Sequence, residues 1–199
     1  MRHYKIRLYG GWYEKQTLTQ KAQYLIGEIS PLSPSYTINL SFNNNIKSIV
    51  SIELAYSLQI SPNQHLLHTF RARSNPRGFQ FLNPREVGCI DPDCPNLALY
   101  NLFTSNKCAK PGCNKTLKDL FYKREQKLVD SMIVADLIFY AVNGEETISI
   151  VSSDDDLWPG ICYALLAGCH VTQVHTRAKH KNQYADSILF KNTFRQTSI

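Results

Sequence analysis

Three consecutive aspartates, Asp154, Asp155 and Asp156, directly follow a β-branched apolar segment, and this is the clearest chemical pattern in the chain. Residues 146–151 are predicted to form a buried strand, which places the acids at its carboxyl end. Clustered carboxylates raise one another's pKa unless a cation lies between them, and carboxylate oxygens are ligands that Mg²⁺ and Mn²⁺ prefer. In the other interpretation, one aspartate caps the following helix and the others favour its positive end. The cluster alone leaves both interpretations open.

A second acidic feature lies upstream, where Lys127 and Asp130 have the Lys-x-x-Asp spacing and Asp136 follows. On a helix this spacing places the basic and the acidic group on one face, close to its start. An ordinary solvated ion pair is the alternative. The order strand–helix–strand–helix would let Asp130 approach Asp154 and Asp156.

The elements that position these groups are predicted from hydrophobic periodicity and from turn residues. Strands alternate with helices in the second half of the chain, which predicts an α/β fold with a parallel sheet, whose ligands bind beyond the carboxyl ends of its strands. Residues 46–60 are apolar enough for a strand or a helix. The other predicted strands are 4–13, 36–42, 66–73, 79–82, 146–151 and 171–175, and the predicted helices are 17–29, 117–138 with a break near 124, and 157–167.

The two acidic motifs together resemble the NYN branch of the PIN-like nucleases. The resemblance rests on Lys127-x-Val129-Asp130 with Asp136-Leu137, and on Ile-Val-Ser-Ser-Asp-Asp-Asp-Leu-Trp-Pro at residues 150–159. It implies a PIN/NYN-like three-layer fold with a mainly parallel central sheet. It also implies an Mg²⁺- or Mn²⁺-dependent nuclease, an endoribonuclease, acting on RNA or single-stranded DNA. The implied metal-binding acids are Asp130, Asp154 and Asp156, with Asp155 and Asp136 as further candidates and Lys127 as a substrate-binding residue.

One part of the family pattern is missing. The family opens with a strand that ends in Asp-Gly-x-Asn and supplies the first catalytic acid, but the first aspartate of this chain is Asp91. A partner protein supplies the missing strand, or Glu14 substitutes for the acid, or the site is degenerate. The function is then either a nuclease that needs a partner chain to complete its acidic site, or a catalytically degenerate module that binds nucleic acid or protein.

Four cysteines form two pairs of equal spacing, Cys89-x4-Cys94 and Cys108-x4-Cys113. Each pair encloses a proline and is predicted to form a tight knuckle. Two knuckles can present four thiolates tetrahedrally to a structural Zn²⁺, which would leave no open position for water. Two disulfides, or four unrelated thiols, are the alternatives. Cys162 and Cys169 are predicted to pack in the core.

Basic residues without intervening acids are the candidate contacts for a phosphate backbone. The set consists of Arg71, Arg73, Arg77 and Arg85, interleaved with Phe70, Phe79 and Phe81. Arginine suits bidentate phosphate contacts and aromatic rings stack on unpaired bases, whereas a solvated hairpin is the alternative. A second basic set is predicted to lie in a flexible charged tail: Arg177, Lys179, Lys181, Lys191 and Arg195. His175 and His180 are predicted at the surface.

Composition limits the remaining possibilities. The chain has 199 residues, a net charge of +6 and 43% hydrophobic residues, enough for a packed core and compatible with an anionic partner. The predicted organisation is a PIN/NYN-like domain over 1–86 and 116–199, with a zinc-binding insert at 87–115. The most apolar stretch, 132–142, is too short for a membrane span, which needs about 20 residues. Without a secretory signal at the N-terminus, a cytoplasmic location is expected.

Overall fold

The computed structural model describes residues 2–32, 35–40, 46–74, 82–178, 182, 184, 190 and 192–199. The fold is mixed α/β, which confirms the predicted class at this level, and it contains parallel and mixed sheets. The chain divides into two compact units. The first comprises Met1–Phe70 and Gln126–Ile199, and the second comprises Arg71–Glu125.

The first sheet of the first unit has the order β4-β5-β1. Strand β1 (Arg2–Leu8) runs parallel to β5 (Ile46–Leu54), and β4 (Tyr36–Leu40) runs antiparallel to β5. The ambiguous segment 46–60 is therefore a strand over its first nine residues. Its β-branched side chains suit a pleated, half-buried surface.

Helix α1 (Gln20–Ile29) packs on β5 and begins where the Thr19 side chain accepts the Ala22 N–H. The prediction started this helix three residues early, because Thr17–Leu18 (β3) pairs with Tyr13–Glu14 (β2). Strand β1 ends before Gly10, where an added Cβ would lie 2.7 Å from the Trp12 ring. The chain turns there, so the predicted strand 4–13 was too long.

The second sheet of this unit has three parallel strands in the order β10-β9-β8. They are β8 (Thr147–Val151), β9 (His170–His175) and β10 (Phe194–Ser198). Helices α4 (Val129–Val142) and α5 (Trp158–Leu166) pack together and share a buried core with β8 and β9. Strand β10 corrects the prediction of a flexible tail at this point, because Phe194 packs against that core.

The second unit contains α2 (Pro95–Ser105), α3 (Leu117–Leu120) and most of the neighbouring strands β6 (Phe70–Ser74) and β7 (Tyr122–Gln126). Leu102 and Leu117 are buried in it, and the rings of Phe103 and Phe121 lie 5.1 Å apart. The helical pattern predicted over 117–138 is interrupted where the break near 124 was predicted, because β7 separates α3 from α4. The predicted strand 66–73 begins only at Phe70. Of the predicted strand 79–82, residues 79–81 lie outside the described residues, and Leu82 is in no strand.

Within the described ranges, no helix combines the length and the apolar character that crossing a membrane requires.

Candidate metal centre

The turn that follows β8 is tied to the end of β9 by polar contacts. The Ser152 N–H donates to the Val174 carbonyl at 3.0 Å, and the Gln173 side chain donates to the Ser152 carbonyl at 3.1 Å. The Ser153 hydroxyl accepts the Thr176 N–H at 2.8 Å. These bonds fix the backbone from which the acidic residues project.

Asp154 begins a short 3₁₀ turn, Asp155–Leu157, and its carboxylate accepts the Asp156 N–H at 3.0 Å. Helix α5 follows directly, with Pro159 in its first turn. Proline is favoured at this position because its missing N–H would have no partner inside the helix. Asp154 therefore caps the 3₁₀ turn and not the following helix, which begins after Leu157 without a side-chain cap. The bond to the Asp156 N–H uses one of the two Asp154 carboxylate oxygens.

Asp130 lies in the first turn of α4, after a sharp change of direction at Leu128, whose φ is 67°. The left-handed conformation of Leu128 separates β7 from the helix, which begins at Val129. Lys127 precedes this change, and its N–H donates to the Thr69 carbonyl at 2.8 Å. The prediction that Lys127 and Asp130 share a helix face is therefore wrong.

Asp130, Asp154 and Asp156, here called the aspartate triad, are exposed and lie close together. Each offers a carboxylate oxygen within 4.8 Å of the other two, and no other group of three or more acids, histidines or cysteines in the described ranges is this close. The pKa of Asp130 is raised, first by partial burial and then by the negative charges of Asp154 and Asp156. The repulsion is unfavourable by itself, and a divalent cation would remove it. The donor set, three hard carboxylates open to solvent, fits Mg²⁺ or Mn²⁺.

A pocket of about 520 Å³ opens beside the triad. Asp130 and Asp156 line it, and its remaining wall is mainly apolar. Helices α4 and α5 approach closely at Gly160, where an added Cβ would lie 3.1 Å from the Val134 Cα. The other lining residues are Ser131, Val134, Ala135, Ile138 and Pro159.

Asp136, the candidate on the same helix, lies outside the triad. It is 1% exposed, and its carboxylate lies 3.2 Å from the Arg7 Nε. The carboxylate also accepts the Tyr9 hydroxyl at 2.7 Å and the Gln59 N–H at 2.8 Å. Burial of Tyr9 and its hydrogen bond to Asp136 raise the pKa of the Tyr9 hydroxyl. Asp136 therefore has the environment of a structural ion pair.

The remaining acidic candidates also lie outside the triad. Asp155 projects from the same turn but is not a member of the group. Glu14 is exposed in β2, where it pairs with Thr17 and Phe70.

The four paired cysteines form two contacts rather than one group. The Cys89 thiol donates to Cys94, which raises the pKa of Cys89 and, with the Asn96 N–H, lowers the pKa of Cys94. The pKa of Cys108 is lowered, first by the Lys110 N–H and then by the thiol of Cys113. All six cysteines are free thiols. No three of the four sulfurs meet within 4.8 Å.

The predicted basic contacts are described only in part. Arg71 pairs with Glu125 at 3.2 Å, and Arg85 is exposed. The side chains of Arg73 and Arg77 lie outside the described part of the chain, as do Lys179, His180, Lys181 and Lys191.

Buried polar residues of β9 and β10 were missed by the sequence analysis. His175 was expected at the surface but is fully buried, with its Nε2 2.9 Å from the Gln196 side chain. Gln173 is equally buried and holds the triad's turn through Ser152. The sequence contained a signal for this burial. Val171, Gln173 and His175 are spaced two residues apart, so they share the inward side of β9, and the residues between them are β-branched.

In comparisons with known proteins, no protein-family model, curated protein or solved structure matches the chain. The resemblance to the NYN branch rests on the motifs alone.

Proposed function

We propose that this chain is a metal-dependent nuclease that hydrolyses phosphodiester bonds in RNA or single-stranded DNA. The observation that carries the proposal is the convergence of the aspartate triad from two distant segments, in the order in which the motifs resemble the PIN/NYN family. The triad would hold Mg²⁺ or Mn²⁺. Such an ion supplies charge stabilisation for a phosphate undergoing in-line displacement and lowers the pKa of bound water.

The residues around the triad have complementary roles in this proposal. The Ser152–Asp156 turn holds two carboxylates on a fixed backbone, and the first turn of α4 holds the third. Because all three are exposed, and Asp130 and Asp156 also line the pocket, a phosphate can approach them from solvent. The apolar wall at Val134 and Ile138 gives the nucleotide beside that phosphate a dry surface. Lys127 and the arginines at positions 71, 73, 77 and 85 remain the proposed backbone contacts.

A catalytically degenerate binding module is the second candidate. It is favoured by the size of the described acidic group, which has three members and includes neither Glu14 nor Asp155. If a partner chain supplies another acid, the site becomes a complete nuclease. If none does, the chain binds nucleic acid or protein without cleaving.

We also propose that the second unit binds a structural Zn²⁺ through Cys89, Cys94, Cys108 and Cys113. Each pair contains a thiol whose thiolate form is favoured by a backbone N–H, and the thiolate is the form that binds zinc. The two pairs have to approach each other for four-coordinate binding. Native mass spectrometry should show one Zn²⁺ per chain, lost in a Cys94→Ser, Cys113→Ser variant.

The test of the nuclease proposal combines Mn²⁺ binding with cleavage of end-labelled RNA and single-stranded DNA. We expect both to be lost in the double variant Asp154→Asn, Asp156→Asn. The matched control is Glu146→Gln, because Glu146 is exposed at the opposite end of β8. Binding without cleavage would favour the degenerate module, and cleavage that persists in the double variant would refute the assignment of the triad.

A further inference from the structure

Strand β1 has one unpaired edge. It pairs with β5 along its seven residues, and no strand in the described ranges pairs with its other side. His3, Tyr4, Lys5 and Ile6 are all exposed, so both faces of the strand are open there. Long exposed edge strands are usually blunted or covered, because they bind additional strands.

Strand β8 has an unpaired edge as well. It pairs with β9, and the described part of the chain provides no partner on its other side. The Glu146 carbonyl and the Ser152 N–H both bond to the segment that contains β9. Because the N–H and C=O groups of successive strand residues point to alternate sides, those of Ser149 and Val151 point to the open side.

The same alternation assigns the open side of β1. The Leu8 carbonyl accepts the Ala55 N–H, next to the end of β5. The backbone groups of Lys5 and Arg7 therefore point to the open side.

Helix α4 connects the carboxyl ends of these two strands. Asp130 lies in the triad at the end of β8, and Asp136 binds Arg7 and Tyr9 at the end of β1. Asp130 and Asp136 are separated by about 9 Å of helical rise, and two strands on either side of a third lie about 9.6 Å apart. Both strands therefore end at the same helix, at positions whose separation is comparable with the spacing that one intervening strand requires.

The side chains beside this gap are apolar at β8 and mixed at β1. On the α4 face, Ile150 belongs to the same buried core as Leu137, whereas Arg7 of β1 pairs with Asp136. On the opposite face Tyr4, Ile6 and Val151 are 42%, 41% and 65% exposed. A strand between two parallel strands is normally a continuous apolar run, and the exposed apolar side chains on the face away from α4 suit such a strand.

We propose that one strand of a partner polypeptide inserts between β1 and β8, parallel to both. The sequence of this inserted strand would be a run of β-branched apolar residues flanked by acidic residues. The acids match the chain's charge of +6 and the exposed basic side chains of His3 and Lys5 on β1, whereas Arg7 is already paired with Glu53 and Asp136. A second copy fits less well, because antiparallel pairing of β1 with itself places these basic residues opposite one another. This inference specifies where a completing partner would bind but does not depend on the metal-dependent reaction.

The experiment measures backbone hydrogen exchange by NMR with a synthetic peptide as the probe. The peptide has five alternating valine and isoleucine residues between pairs of glutamates, and the control peptide has a central proline. In the free chain, we expect faster exchange at the open-edge amides than at their neighbours Tyr4, Ile6, Ile148 and Ile150. The probe, but not the proline peptide, should slow exchange about tenfold or more at the open edges. The open-edge amides are those of Lys5, Arg7, Ser149 and Val151.

A matched pair of variants tests the edge of β1. Lys5→Pro removes one open-edge N–H, and we expect peptide affinity to fall about tenfold, the equivalent of one hydrogen bond. Lys5→Ala keeps that N–H, and the expected change is about threefold or less. The double variant Asp154→Asn, Asp156→Asn should bind the peptide normally, so failure of the metal site and failure of strand insertion are distinguishable.

Three results would overturn the proposal. The first is no protection by the probe, and the second is protection of only one of the two strands. The third is protection of the open edges without peptide in a concentration-dependent dimer, which would make a second copy the occupant.

Discussion

Asp130 and Asp136 lie six residues apart on the same helix, yet their surroundings are opposite. Asp136 is buried against a cation, a hydroxyl and a backbone N–H. Asp130 is exposed beside two further carboxylates, and no basic group contributes to its raised pKa. The comparison shows that a carboxylate supplied with protein partners serves the fold, whereas carboxylates gathered without them are candidates for an external cation.

The largest expected effect comes from Asp136→Asn. The substitution removes one of the two carboxylates that pair with the buried Arg7, leaving only Glu53 among the described residues, and it weakens the hydrogen bonds that Asp136 accepts. We therefore expect a loss of about 3 kcal/mol in the free energy of unfolding. Urea denaturation measures this loss. A change below about 1 kcal/mol would mean that the buried pair does not support the fold.

The next effect is on metal-dependent stability. Mn²⁺ at 100 times its dissociation constant should stabilise the wild-type chain by about 2.7 kcal/mol. In Asp154→Asn, Asp156→Asn this stabilisation should disappear, and in Glu146→Gln it should persist. Thermal unfolding with and without Mn²⁺ makes the comparison, and equal stabilisation of all three proteins would place the cation elsewhere.

A smaller effect is expected from Ser153→Ala, which removes the hydroxyl that accepts the Thr176 and Arg177 N–H groups. Loss of these bonds should cost about 1 kcal/mol of stability. Because the turn then holds the triad less firmly, Mn²⁺ affinity should fall about tenfold. Ser149→Ala, at an exposed position on β8, is the control for calorimetric titration. An unchanged affinity would show that the turn needs no anchor at Ser153.

The smallest change in stability is expected from Asp130→Asn in the absence of metal. Its sign is opposite to that expected for Asp136→Asn. The pKa of Asp130 is raised in the folded chain, so wild-type stability falls as the pH rises through that pKa. The variant should therefore be more stable at neutral pH, by less than about 1 kcal/mol because the site is open to solvent. The gain should vanish at acidic pH. If the variant were less stable than the wild type at neutral pH, the inferred repulsion between Asp130 and the other two aspartates would be contradicted.

The sequence predicted the elements that carry strong apolar periodicity, such as β8, β9 and α5, to within one or two residues at each end. It also predicted that Asp130 would approach Asp154 and Asp156, because element order alone brings those segments to one sheet edge. The short polar strands β7 and β10 were not predicted. Their pairing depends on neighbouring strands rather than on their own side chains.

The different roles of Asp130 and Asp136 were beyond sequence reasoning. The partners that bury Asp136 come from far along the chain, with Tyr9 127 positions away and Gln59 77. No local pattern reports such contacts. The left-handed Leu128, which excludes Lys127 from the helix, was equally invisible, because leucine rarely adopts positive φ.

The most direct test of the central claim is a titration of the ¹⁵N-labelled chain with sub-stoichiometric Mn²⁺, in which paramagnetic broadening identifies the nearest amides. We predict that the amides of Asp130, Asp154 and Asp156 broaden first and together, while those around Asp136 follow at higher Mn²⁺. Broadening centred on other acids, such as Asp91 and Asp93, with the triad's amides unaffected, would contradict the account.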